Sequence, residues 1–421
     1  MSSMVAAVRA QMFGLLARRF AQLPESVVWM LRRDGLDPIE RLAQVRDREP
    51  VTRMPVPFGL RAWLVSGYDP VREVLGSLDG YSNDFGKFAG RVGLSVSSDP
   101  GGLGFADPPV HTRLRKALTP EFTMRRLDRL RPRIEAIVSQ RLDAMTAVAR
   151  GVRAGRLSDA ADLWRDYALP VPALTICELL GVPYEDREYF QTLSTARFDM
   201  VDGASASLDA MGDSLTYLMG LIERQRREPG EGLLGSLIRT HGDAIDDREL
   251  AGLADGVLTG GLETSASMIA LGTYALMTDP ALRARLDHDA DATIEELLRY
   301  LTVVQVAFPR VAIRDTTVAG VGIKAGDVVV CSLSGADRDP SAVGRTPDAV
   351  DPSRTLGRAH LAFGYGIHRC IGAELARMEL RVAYPALFER FPGIRPAVPA
   401  DELTFRRASI VFGLDSLPVR T

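Results

Sequence analysis

The chain has 421 residues, of which 46% are hydrophobic and 25% are charged, and its formal net charge is -3. This is the composition of an ordinary globular protein, and the near-neutral charge argues against nucleic acid as a partner. Length alone allows two or three domains of about 150 residues, but no repeat, low-complexity tract or linker divides the chain. We predict a helical N-terminal extension over 1–36 and a single domain over 37–421.

The three cysteines lie far apart and form no CxxC pair, so neither a disulfide framework nor a structural zinc site is predicted. Cys177 and Cys331 stand among apolar residues, where a cysteine is usually a small buried side chain. The sequence contains no stretch of about 18 uninterrupted apolar residues, so no transmembrane anchor is predicted. We therefore expect a reducing compartment and a cytoplasmic location.

The predicted elements are mostly helices. Strands are expected at 51–54 and 62–65, then helical faces near 134–145 and 215–222, and a long apolar helix between 252 and 277. A later strand is expected at 328–333, with a further pair around 409–414. Because strands and helices never alternate, the predicted fold class is mainly α with small peripheral β-sheets.

The segment 361–380 is the most informative part of the sequence. Gly364 and Gly366 allow a tight backbone loop, and apolar residues recur with helical spacing from Ile371 onward. Cys370 is therefore predicted at the start of a helix, where the helix dipole and backbone N–H groups favour a thiolate over a thiol. Such a sulfur can ligate iron.

The same segment resembles the haem-binding loop of the cytochromes P450, Phe-Gly-x-Gly-x-His-x-Cys-x-Gly followed by Leu-Ala-Arg. The resemblance implies a cytochrome P450 fold, with heme b (iron protoporphyrin IX) between a long distal helix and a proximal cysteine loop. Cys370 would be the axial ligand of the haem iron, and Phe363 would pack near its sulfur. Gly366 and Gly372 would let the backbone approach the sulfur and the porphyrin. The matching residues are Phe363, Gly364, Gly366, His368, Cys370, Gly372, Leu375, Ala376 and Arg377.

Glu296 and Arg299 form an ExxR pair on one face of a predicted helix. Taken alone, such a pair is usually a surface salt bridge. It resembles the ExxR motif of the same family, which implies a buried structural network with Arg354. The family's Asn-Arg-Asp-Pro motif is present in modified form, beginning at Asp337, and we expect this change to be tolerated.

His111 and Arg115 lie four residues apart after Pro109, so a helix starting there would project both from one face. Considered by themselves, these two residues could belong to the solvent-exposed, basic first turn of a helix. The resemblance implies instead that both contact the haem propionates, which need charge-assisted partners when partly buried. Arg310 and His368 match the other usual propionate contacts.

The long predicted helix contains Gly260 and Gly261, and each glycine costs about 1 kcal/mol relative to alanine inside a helix. A packing contact could explain them as well as function could. The resemblance matches Glu263 and Thr264 to the family's catalytic acid and alcohol, which deliver protons beside bound O2, the co-substrate. By position, the substrate pocket would be lined by Gly256, Thr259, Gly260, Val306 and Phe308, with 85–96 and 197–203 as its covers.

The resemblance implies a haem-thiolate monooxygenase that uses O2, two electrons and two protons to hydroxylate or epoxidise a lipophilic small molecule. The alternatives are a catalytically silent haem-thiolate binding protein and a haem-free helical scaffold. Electrons would come ultimately from NAD(P)H through a ferredoxin and ferredoxin reductase, and Arg369 and Arg377 are candidate docking residues. We expect a monomer.

Overall fold

The computed structural model describes residues 25–56, 61–84, 86, 102–149, 160–189, 204–354, 357–406 and 409–421. The helices in these residues are α1 (Glu25–Val28), α2 (Glu40–Arg48), α3 (Tyr68–Gly76), α4 (Val110–Leu118), α5 (Met124–Leu127), α6 (Arg131–Ala149), α7 (Pro170–Leu180), α8 (Ala204–Arg227), α9 (Leu233–His241), α10 (Asp247–Thr278), α11 (Pro280–His288), α12 (Ala290–Leu301), α13 (Leu333–Ala336), α14 (Pro340–Val343) and α15 (Ala373–Arg390). The strands are β1 (Arg33–Asp34), β2 (Asp37–Pro38), β3 (Val51–Met54), β4 (Ala62–Val65), β5 (Tyr81–Ser82), β6 (Ala160–Asp162), β7 (Arg310–Ala312), β8 (Thr316–Val318), β9 (Val321–Ile323), β10 (Val328–Cys331), β11 (Arg395–Pro396) and β12 (Pro418–Arg420). The protein is mainly helical with small β-sheets, as predicted.

The described residues form two compact units, neither of which is continuous in sequence. The first contains the described parts of Asp84–Ile134 and Pro172–Glu263. The second contains Glu25–Asn83, Glu135–Val171 and Thr264–Thr421 in their described parts. The single domain expected over 37–421 stays a prediction.

A five-stranded sheet in the second unit has the order β3-β4-β10-β7-β5. Strand β10 runs parallel to β4 and antiparallel to β7, with Val328 opposite both Ala62 and Val311. Helix α3 buries Val71 and Val74 in the same core as Val329 of this sheet. The strands predicted at 51–54 and 62–65 are confirmed, whereas 409–414 forms only isolated bridges.

Short side chains determine where two helices before the predicted cysteine loop begin. Asp279 accepts hydrogen bonds from two backbone N–H groups at the start of α11, and Asp289 caps α12 through the N–H of Ala292. Pro280 stands at the first position of α11, where it loses no helical hydrogen bond. These caps fix where α12, the helix of the ExxR pair, begins.

The N-terminal boundary predicted at 36/37 lies in the turn of the β1–β2 hairpin. Arg33 donates to the Gln305 side chain at 2.8 Å and to the Leu301 carbonyl at 2.9 Å, so this segment is anchored within the second unit. Residues 25–36 therefore cluster with the residues that follow them, and the boundary at 36/37 stays a prediction. Within the described residues, no helix is both long enough and apolar enough to cross a membrane.

Candidate active site

Cys370 differs from the other two cysteines in its exposure. Cys177 and Cys331 are buried, and burial raises the pKa of each thiol to about 12. Cys370 is exposed and precedes Gly372, the N-cap residue of the 18-residue helix α15. The thiol thus lies just before the helix, not within its first turn, and is the one thiol of the three that an external ligand can reach.

The loop before Cys370 requires glycine because it passes close to helix α3. Gly366 has a φ of +74°, and a Cβ at this position would lie 2.2 Å from the carbonyl oxygen of Leu75. Arg72 of α3 donates to the hydroxyl of Tyr365 at 2.9 Å and stacks over its ring. The backbone N–H of Cys370 donates to the Phe363 carbonyl at 2.9 Å, which closes the loop.

The structure brings Glu296, Arg299 and Arg354 together. Arg299 donates to both carboxylate oxygens of Glu296, at 2.7 and 2.8 Å, and Arg354 donates to the same carboxylate at 3.3 Å. The Arg299 side chain is fully buried and also donates to the carbonyls of Asp337 and Pro347. Buried charges need this degree of hydrogen bonding to be tolerated.

Asp337 is a further buried residue, and it contacts the segment that precedes the cysteine loop. Its carboxylate accepts hydrogen bonds from the N–H of Leu361 at 2.6 Å and from the hydroxyl of Thr302 at 2.9 Å. Burial raises the pKa of this carboxyl group. Asp337, at the position where the family has asparagine, thus has hydrogen-bond partners of its own.

Helix α10 is buried along most of its length but is open at the predicted distal positions. Gly256, Thr259 and Gly260 are exposed, and Glu263 and Thr264 are half-buried. A Cβ on Gly256 or Gly260 would meet no heavy atom within 4 Å. Because residues four, seven and eight positions apart share one helical face, these residues form a continuous open strip along α10.

A neighbouring glycine on α10 has a different environment. A Cβ on Gly261 would lie 3.2 Å from the Ile176 side chain, so this glycine packs against protein. Ser265 donates to the buried carboxylate of Glu379 at 2.7 Å, which connects α10 to α15. The two consecutive glycines therefore serve different purposes. Gly261 allows α7 to pack closely against α10, and Gly260 leaves the surface of α10 without a side chain.

His111 and Arg115 lie one turn apart on α4, as the spacing predicted. His111 is buried, and its burial together with the Arg115 charge lowers the pKa of the imidazole. A neutral imidazole still has one N–H to donate. Arg113 lies between these two residues in sequence and forms an ion pair with Glu249 of α10.

The remaining predicted contacts lie in the second unit. Arg310 is buried and donates to the Phe308 carbonyl at 2.9 Å, and His368 is half-buried in a turn before Cys370. Val306 is buried in a β-bridge with Ser332, whereas the Phe308 side chain is 53% exposed. The predicted pocket covers 85–96 and 197–203 lie outside the described residues, apart from Gly86.

One docking expectation is wrong. The Arg377 side chain is only 11% exposed because its guanidinium pairs with Glu295 and Glu374. Arg369 is exposed.

Comparisons with known proteins decide the family. A family model for cytochrome P450 matches residues 232–397. The chain is also 41% identical over 397 residues to cytochrome P450 FAS1 of Rhodococcoides fascians, covering 92% of this chain and 96% of that protein. The chain belongs to the cytochrome P450 family.

This P450 is also similar to family members whose names state a reaction. It is 37% identical to the mycinamicin IV hydroxylase/epoxidase of Micromonospora griseorubida, covering 91% of this chain and 96% of that one. A crystal structure of OxyC, a P450 implicated in oxidative C–C coupling during vancomycin biosynthesis, matches with a TM-score of 0.81 and 37% identity, covering 92% of this chain and 96% of that one. The predicted family, the P450 fold and the assignment as a haem-dependent monooxygenase are confirmed.

The described residues fit the haem that this family carries. An exposed thiol in front of a helix N-terminus is the donor that a thiolate-ligated haem iron needs. The open strip on α10 leaves space on the helix that the family places next to the cofactor.

Proposed function

We propose that this P450 hydroxylates or epoxidises a lipophilic small molecule. The observation that carries the proposal is the exposure of Cys370, alone among three cysteines, in front of helix α15. The open strip on α10 supports it, because ligand pockets are mostly apolar concavities with a few polar groups, and Gly256, Gly260 and Thr264 supply space and one hydroxyl.

Within this proposal, Cys370 would hold the haem iron through its thiolate. When bound, the thiolate-ligated haem supplies the activation of O2 that allows one oxygen atom to enter a C–H or C=C bond. The residues that would bind the propionates, as cationic or N–H donors, are His111, Arg115, Arg310 and His368. Phe363 would pack near the sulfur, and Gly366 and Gly372 would let the backbone approach the sulfur and the porphyrin.

Glu263 and Thr264 handle protons. Both are half-buried on the open strip, where a hydroxyl and a carboxylate can transfer protons from water. The pocket itself is lined by Gly256, Thr259, Gly260, Val306 and Phe308. Of these, Phe308 offers the largest exposed apolar side chain for a lipophilic ligand.

The redox partners in this proposal are a ferredoxin and its reductase, with electrons from NAD(P)H. Arg369 is exposed next to Cys370 and can attract an acidic partner. Reduction by ferredoxin should then slow as salt screens the charge, and a rate independent of salt would contradict electrostatic docking. We further propose that the protein is a monomer and that it is located in the cytoplasm, a reducing compartment in which its three cysteines stay free.

The decisive experiment compares the CO difference spectra of the reduced parent protein and two variants. The parent and Cys331→Ala should give the strongly red-shifted Soret band of a thiolate-ligated haem, and Cys370→Ser should lose it. Cys331→Ala is the matched control because it also removes a thiol. A red-shifted band that survives in Cys370→Ser would exclude the assigned ligand. A ligand panel scored by the spin-state shift would then identify the substrate class.

Oxidative coupling is a second candidate, favoured by the similarity to OxyC. Hydroxylation and epoxidation place one oxygen atom of O2 in the product, whereas coupling removes two hydrogen atoms from the substrate and leaves no new oxygen. Turnover under isotopically labelled O2, with products analysed by mass spectrometry, separates the two. Label in the product supports the primary proposal.

A further inference from the structure

Two parallel ion pairs connect helix α12 to helix α15. Asp291 pairs with Arg381 at 2.5 Å, and one turn further along α12, Glu295 pairs with Arg377. The second pair is bidentate, with Arg377 donating to the two oxygens of Glu295 at 2.5 and 3.0 Å. Planar bidentate pairing of this kind fixes the orientation of the guanidinium as well as its distance.

Glu295 has a second partner in the segment that leads into the cysteine loop. The His360 Nε2 lies 3.1 Å from the Glu295 carboxylate, and the His360 Nδ1 accepts the N–H of Ala362 at 3.2 Å. Because Nδ1 is an acceptor, Nε2 carries the proton and donates to Glu295. The His360 side chain is 6% exposed and the Glu295 side chain 41%, so the contact is shielded from water on the His360 side only.

The charge on Glu295 is stabilised by these partners. Burial by itself raises the pKa of the carboxyl group, but the hydrogen bonds from His360 and Arg377 and the Arg377 charge outweigh it and lower the pKa to about 2. Glu295 is therefore ionised at neutral pH. Its negative charge balances the positive charge of Arg377 on α15.

Both partners of Glu295 contact Phe363. The guanidinium carbon of Arg377 lies 4.7 Å from the centre of the Phe363 ring, and the His360 ring lies 5.8 Å from it in a tilted arrangement. The carbonyl of Phe363 in turn accepts the Cys370 N–H at 2.9 Å. A continuous set of contacts thus runs from Glu295 through Arg377 and His360 to the residue that is hydrogen-bonded to Cys370.

We propose that Glu295 is a positioning residue for the Cys370 thiolate, acting through Arg377, His360 and Phe363. This inference rests on the proposed role of Cys370 as the haem ligand. Glu295 lies next to Glu296 of the ExxR pair but serves a different segment. Glu296 holds the chain around Arg354, and Glu295 holds the loop that carries Phe363.

Loss of the Glu295 charge has two physical consequences for the thiolate. First, Arg377 loses its bidentate partner and retains Glu374, 2.8 Å away and 40% exposed, so its guanidinium no longer has a fixed plane over Phe363. Second, the positive charge of Arg377 near the cysteine loop is no longer compensated by the Glu295 carboxylate. An uncompensated positive charge favours the reduced, more negative state of the iron and weakens electron donation by the sulfur.

The experiment compares Glu295→Gln with Asp291→Asn in the haem-loaded protein. Both variants remove one carboxylate from an ion pair between α12 and α15, but Asp291 has no contact with His360 or Arg377 among those the structure shows. We expect Glu295→Gln to raise the reduction potential and to increase several-fold the fraction of the CO complex that absorbs at the shorter wavelength of a protonated thiol. Asp291→Asn should match the parent in both measurements.

Arg377→Lys provides a second variant that keeps the positive charge but removes the planar group over Phe363. It should increase the shorter-wavelength fraction with a smaller change in potential than Glu295→Gln. Equal spectra and potentials in Glu295→Gln, Arg377→Lys and the parent would overturn the proposal, as would equal shifts in Glu295→Gln and Asp291→Asn. A parent protein without the red-shifted band would instead contradict the haem-thiolate function itself.

Discussion

The Glu296 carboxylate accepts a hydrogen bond from Arg354 at 3.3 Å although 58 residues separate them, and Arg299 occupies both oxygens of the same group. Two buried arginines therefore share one anion. Their remaining N–H groups donate to backbone carbonyls between Asp337 and Ala349. The carboxylate thereby helps to fix the chain between Asp337 and Ala349, which contains the short helix α14.

The first prediction concerns the loss of this anion. Glu296→Gln leaves Arg299 and Arg354 buried without a counter-charge, and breaking a buried pair in this way destabilises a protein by about 3–5 kcal/mol. We expect a sharp loss of folded, haem-loaded protein and a lower midpoint of urea unfolding. Arg227→Gln is the control, since it breaks an exposed pair with Glu223 and should change stability by less than about 1 kcal/mol. Equal effects would show that the network is not structural.

The cysteine loop could be predicted from sequence because local constraints determine it. Gly366 must be glycine, since any side chain would collide with Leu75, and the apolar spacing from Ile371 onward places a helix after Cys370. Glu295 and His360 could not be found in the same way. Their contacts join residues 65 and 82 positions apart, and nothing in the local pattern distinguishes Glu295 from a surface glutamate.

Strand prediction failed at 409–414 for a related reason. Its apolar alternation is real, since Phe412 and Leu414 are buried, but the backbone pairs only at isolated bridges with Val304 and Phe405. An alternating pattern indicates which side chains are buried and not whether a partner strand runs alongside.

The second prediction tests proton handling at Thr264. Thr264→Ala removes the hydroxyl from the open strip of α10 without changing the helix, so haem binding should be unchanged. We expect reduced cofactor to be consumed with more hydrogen peroxide and less oxygenated product, measured as product formed per NAD(P)H. Thr278→Ala, at the end of the same helix, removes a hydroxyl bonded to Tyr274 and should leave this ratio unaltered. Normal coupling in Thr264→Ala would remove the assignment.

The third prediction separates the two neighbouring glycines. Gly260→Ala adds a methyl group where no atom lies within 4 Å, so better helix propensity should stabilise the protein by about 1 kcal/mol. The same methyl group fills part of the open strip and should weaken binding of bulky lipophilic ligands, measured by the spin-state shift. Gly261→Ala places its methyl 3.2 Å from Ile176, so it should stabilise less and leave ligand binding unchanged. The reverse ranking would contradict an open ligand-facing strip.

The fourth prediction is a pH dependence set by Glu295. Its pKa is about 2 in the folded protein and 4.5 ordinarily, so the unfolded chain takes up a proton first as pH falls. The stabilisation is therefore complete above pH 4.5 and disappears toward pH 2. Urea unfolding of the parent and Glu295→Gln should give a stability difference that is constant above 4.5 and shrinks below it. Asp291→Asn, measured at each pH, controls for loss of an interhelical ion pair. A difference that stays constant below pH 4.5 would show that the Glu295 charge does not stabilise the fold.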